Sequence, residues 1–102
     1  MPNSWLPGTA RAIQTRELRA RRYRIGDVAR LLNEPTHVLR FWEEEFKPWV
    51  QTLSSPKGQR IYTEQVVRNL TEIQRLLRQE LYTHEGAKRQ LRLAAERAKE
   101  SA

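Results

Sequence analysis

The stretch IGDVARLLNEPTHVLRFWEEEF, Ile25 to Phe46, decides the fold. Ile25, Val28, Ala29, Leu31 and Leu32 recur at helical spacing, and Asp27 stands in a first turn, where a carboxylate suits the helix dipole. Asn33 offers a left-handed cap, and Pro35 cannot continue that helix. A second helix should begin at Pro35 or Thr36, because proline is well placed in a first turn. Leu39, Trp42 and Phe46 stand at i, i+3 and i+7, with Val38 flanking the stripe. Two short helices so closely joined form a helix-turn-helix outline.

The flanks extend this outline. Pro48 is expected to stop the second helix. Trp49 to Leu53 favours a strand, Ser54-Ser55-Pro56-Lys57-Gly58 is turn chemistry, and Gln59 to Tyr62 can return as the second strand. A hairpin at this point reads as a wing. Thr63 is a good N-cap for a third helix, whose apolar stripe is Val66, Val67, Leu70, Ile73, Leu76, Leu77 and Leu81. Thr83 caps a fourth helix with a weaker, Ala-rich face at Ala87, Leu91, Ala94, Ala95 and Ala98. Residues 1–22, with Pro2, Pro7, Gly8 and five arginines, read as a flexible basic arm. The expected fold is therefore mainly α: a winged helix-turn-helix of four helices and a small two-stranded wing. It should occupy residues 23–91, between the arm and a short helical tail at 92–102.

Composition narrows the function. At 102 residues the chain is one domain by size. Cysteine is absent, which excludes disulfides, thiolate metal sites and cysteine nucleophiles. No apolar run approaches the roughly 18 residues of a membrane span, and the N-terminus lacks a basic-then-apolar signal pattern. A cytoplasmic, nucleoid-associated protein is the expectation. The formal charge of +7 divides as +4 over residues 1–22, +1 over 23–62 and +2 over 63–102. Such a balance suits a polyanionic partner, most simply nucleic acid, and equally suits the plainer reading of a soluble helical protein with Arg-rich solvated faces.

The candidate binding residues follow from the geometry of a duplex. Its major groove admits one α-helix, whose first turns reach base edges while flanking groups grip phosphates. Thr36 and His37 sit in the first turn of the second helix, and Arg40 lies one turn on as a forked phosphate partner. Trp42 can pack its ring on the core stripe and still aim its indole N–H at a phosphate. Lys57 and Arg60 bracket the Gly58 turn with positive charge, which suits a loop that straddles a backbone. Glu43, Glu44 and Glu45 come later on the helix and read as a solvated or intramolecular pairing face. Phe41 and Trp42 have a plainer reading as core residues, and Arg40 as a surface arginine. His37 and His84 belong to different elements and suggest no metal pair. With no nucleophile–base set and no Gly-rich phosphate loop, neither an enzyme nor a cofactor is expected.

These residues also resemble a known family. Tyr23 to Leu32 resembles the opening helix of the mercury-resistance regulator (MerR) family of winged-helix proteins. Val38-Leu39-Arg40-Phe41-Trp42-Glu43 is similar to its Leu-Arg-aromatic-aromatic-Glu recognition helix, and Gly58 to Thr63 to its Gly-Tyr-Arg-x-Tyr wing ending. Tyr82 to Lys88 resembles the Thr-x-Glu-Gly-Ala segment of one subgroup. The resemblance implies a regulator that binds palindromic promoters as a dimer and realigns promoter elements for RNA polymerase. By position it implies His37 and Arg40 facing DNA, Trp42 in place of a phosphate-contacting tyrosine, and Phe41 at an adjacent, more internal position. It places Gln59 and Arg60 where the wing meets the backbone, and Arg24 joins the phosphate anchors. Glu34 and Pro35 depart from the apolar and capping residues usual there, and Gln59 replaces a tyrosine. The long dimerising helix and sensing region of the family have no counterpart, so the chain reads as a small stand-alone member or an amino-terminal piece. Two rival readings share these residues: an excisionase-like architectural factor that bends DNA, and a winged-helix module that docks an acidic protein.

Overall fold

A computed structural model describes residues 22–101. The basic arm expected over 1–22 therefore lies, apart from Arg22, outside the described residues. Among the described residues there are four α-helices, α1 (Ile25–Leu32), α2 (Thr36–Glu45), α3 (Glu64–Gln74) and α4 (His84–Ser101), and one antiparallel pair, β1 (Leu53–Ser54) and β2 (Arg60–Ile61). This is the expected winged helix-turn-helix.

Local chemistry sets each boundary. Asp27 Oδ2 accepts from the Arg24 backbone N–H at 2.9 Å, which closes the start of α1. Asn33 ends it in the left-handed region, at φ 56° and ψ 48°, and the Ala29 carbonyl accepts from both the Asn33 and Glu34 N–H groups. Pro35 caps α2 with φ −65°, its carbonyl receiving the N–H groups of Val38 and Leu39. Helix α2 closes at Glu45, before Pro48 is reached. Pro48 lies in a following 3-10 turn, Lys47–Trp49.

The strand expected over Trp49 to Leu53 is mostly absent. Trp49 and Val50 turn inward beside Phe46, whose ring centroid lies 6.3 Å from that of Trp49. The Trp49 carbonyl accepts from Asn69 Nδ2 at 2.7 Å, so that backbone is bound to α3 and not to a ladder. Pairing is confined to Leu53 with Ile61 and Ser54 with Arg60. Ser55 ties the turn, its Oγ accepting from the N–H groups of Lys57 and Gln59, and Gly58 takes φ +83°. A further two-bond bridge joins Tyr62 to Tyr23, so the chain entering α1 is stitched to the wing's exit.

Thr63 caps α3 as expected, its Oγ1 accepting from the Val66 N–H. The stripe from Val66 to Leu76 is buried, but Leu81 is not part of it. Over Arg75–Gln79 the helix widens into a π-turn, and the Tyr82 N–H then reaches back to the Leu76 carbonyl. Leu81 is left at the corner with φ 61° and 77% exposure. Thr83 Oγ1 accepts from the Gly86 N–H and starts α4. Ala87 and Leu91 seal the core, while every residue from Arg92 to Glu100 is exposed, Ala94, Ala95 and Ala98 included. One core results, drawn from all four helices with Val50 and Tyr62. Glu34 also lies inside the fold, bound by Gln74 of α3 and Arg78 of the π-turn.

Candidate nucleic-acid interface

With 3.6 residues per turn, burying Leu39, Trp42 and Phe46 turns the opposite side of α2 outward. That outward side carries His37, Arg40 and Phe41, all exposed, with Thr36 half-exposed at its start. Beside it the wing rises, with Lys57, Gly58, Gln59 and Arg60 exposed. Arg24, Arg40, Gln59 and Arg60 line one cleft between α2 and the wing, together with Lys47 and two of the three acids. The fold thus brings four of the eight candidates to a single concave surface. Thr36 and His37 lie on the same helix, and Lys57 at the hairpin tip.

Trp42 stands apart from the other seven. It is 3% exposed, and the Arg78 guanidinium covers its ring at 5.5 Å. Phe41 is the reverse case: expected to be the more internal aromatic, it is 52% exposed. The helical stripe explains both. Residue 42 lies on the line through 39 and 46, so 41 must point away, one turn beyond His37. That spacing was a readable signal for Phe41. The ring of Phe41 meets His84 at 5.3 Å between centroids, and His84 also sits 5.7 Å from Phe46. His84 is thus a half-buried spacer between α2 and α4.

The three consecutive acids go three ways. Glu43 is 7% exposed, and its carboxylate accepts from Arg60 Nη1 through Oε1 and from the Tyr62 hydroxyl through Oε2. Burial, followed by the neighbouring Glu43 carboxylate, pushes the Tyr62 phenol far above its ordinary pKa, so it remains a donor. Glu44 is exposed and lies 3.6 Å from Lys47. Glu45 turns towards α4, its Oε1 lying 3.6 Å from both His84 Nδ1 and Lys88 Nζ. Glu44 meets the solvated half of the expectation, and Glu43 and Glu45 its intramolecular-pairing half.

Glu34, in the turn that joins α1 to α2, is bound as firmly. It accepts from Gln74 Nε2 at 2.9 Å and from Arg78 through Nε and Nη2. The Arg78 hydrogen bond, outweighing burial, holds this carboxyl below the usual glutamate range. The sequence marks Glu34 as a departure from an apolar position but gives no sign of its partner Arg78, because their pairing spans 44 residues.

Among the described residues no group of three or more His, Asp or Glu side chains is placed to hold a metal ion. No described helix is long and apolar enough to cross a membrane. Comparison with curated proteins and with solved structures returns no match. The family model for MerR HTH family regulatory proteins matches residues 23–93.

Proposed function

The chain belongs to the MerR helix-turn-helix regulatory family, and on that premise we propose that it binds double-stranded DNA through α2 and the wing to regulate transcription. The observation that carries this reading is the shared cleft: Arg24, Arg40, Gln59 and Arg60 come from three separated segments and line one surface beside the exposed His37. Thr36 and His37, in the first turn of α2, read base edges. Arg24, Arg40, Lys57 and Arg60 anchor phosphates and make binding salt-dependent. Trp42 acts from behind, as the core ring that fixes the helix. Phe41 adds an apolar contact to a thymine methyl or a sugar.

We extend the proposal to a homodimer on a palindromic promoter, where the bound DNA is presented to RNA polymerase in the nucleoid. Selection of bound duplexes from a random pool tests both parts. The expected product is a palindrome with half-sites spaced by whole helical turns. Recovery of unrelated sequences, with no enrichment over input, would overturn sequence-specific binding.

A further inference from the structure

Glu43 is an acid on the DNA-reading helix, at the edge of the cleft through which a polyanion is proposed to bind. Bulk electrostatics would make it a liability there. Its carboxylate is nevertheless buried and fully engaged, with one oxygen on the Arg60 guanidinium of the wing and the other on the Tyr62 hydroxyl. Tyr62 is itself immobilised: it is 1% exposed, and its backbone is paired with Tyr23. Arg60, in contrast, keeps 63% of its side chain exposed. A guanidinium carries five N–H donors in a rigid fork, and the bond to Glu43 uses one.

We propose that Glu43 is a positioning residue: it holds Arg60 by one corner so that the remaining donors face the cleft beside Arg24, Arg40 and Gln59. The role rests on the DNA-binding reading above. Without the anchor, a long arginine on a two-residue strand loses rotamer freedom at each binding event. With it, the wing's phosphate grip is set at a fixed offset from α2. The acid costs some attraction and supplies geometry.

The test is a double-mutant cycle on the whole chain, with a mixed-sequence duplex of about three helical turns at several salt concentrations. Arg60→Ala should weaken binding about tenfold, and Glu43→Gln, which keeps shape and folding, about fivefold. The double variant should bind no more weakly than Arg60→Ala, and the salt slope of Glu43→Gln should fall towards that of Arg60→Ala. Tyr62→Phe, which removes the second hold on the carboxylate, should weaken binding by a smaller factor, again only when Arg60 is present. Independent, multiplying losses would assign Glu43 to stability alone, and tighter binding by Glu43→Gln would show that it merely sequesters Arg60. Either result overturns the proposal. Wild-type protein that leaves the duplex unbound at every salt concentration sinks the DNA-binding reading itself, and with it the role of the pair.

Discussion

Arg78 grips both oxygens of Glu34, with Nε at 3.0 Å and Nη2 at 2.8 Å, and spreads its guanidinium over the ring of Trp42. One side chain of the π-turn that follows α3 therefore fastens the turn before α2 and the ring at its middle. Arg78→Ala would leave a nearly buried carboxylate with Gln74 as its remaining partner. Because Arg78 is half-exposed, the loss should be about 2 kcal/mol, below the range for a fully buried pair. Thermal unfolding of this variant should show a clear drop in Tm.

The same pair gives the fold a pH signature. The folded pKa of Glu34 is depressed, so its contribution is complete above the ordinary glutamate value of 4.5 and is lost as pH falls through the lower, folded value. Stability should decline below roughly pH 4.5, and Glu34→Gln should remove part of that decline. Denaturant titrations of both proteins across that range would show it, and parallel curves would count against the pairing.

Phe41 and Trp42 should separate function from stability. Trp42→Ala empties a core site and should cost about 3–5 kcal/mol. Phe41→Ala removes an exposed ring, so stability should change by less than about 1 kcal/mol while duplex affinity falls. Finding that Phe41→Ala binds duplex normally would remove that ring from the proposed interface.

Arg40 stands on the outward side of α2, and among the described residues its guanidinium has no hydrogen-bond or ion-pair partner, in contrast to Arg60. Arg40→Ala should weaken binding to all sequences alike and lower the slope of log affinity against log salt by about 1. An unchanged slope would mean that no phosphate is met there.

Leu81 is held in a left-handed conformation, which costs an L-residue roughly 1–2 kcal/mol, and its side chain is mostly in solvent. Leu81→Gly should therefore stabilise the protein, by about 0.5–1 kcal/mol after the added freedom of the unfolded chain is counted. A lower Tm in this variant would mean that the leucine makes contacts worth more than its strain.

The helix pair was legible because caps, prolines and the 39–42–46 stripe all act within a few residues. The wing was legible in outline, since Gly58 and the residues around it specify the turn locally. Its first strand was overestimated: β-propensity at Trp49 and Val50 yielded to the core, which took both side chains. The stripe of α3 was read one turn too far, because a leucine at the corner looks like another core leucine until the chain turns. Of the site, His37 and Arg40 could be found from helix phase. The Glu34–Arg78 and Glu43–Arg60 bonds could not, since each links elements whose approach depends on the finished packing.

From Arg92 to Glu100 every residue of the last helix is exposed. A helix transmits angle as well as distance. Anything joined to it is displaced by about 1.5 Å and swung by about 100° for each residue inserted before it. A single inserted residue would misdirect such an attachment by more than a quarter turn, whereas four would bring it nearly back into phase. A change in the length of this exposed segment would therefore change the bearing of anything joined to it relative to the proposed DNA-facing side of α2.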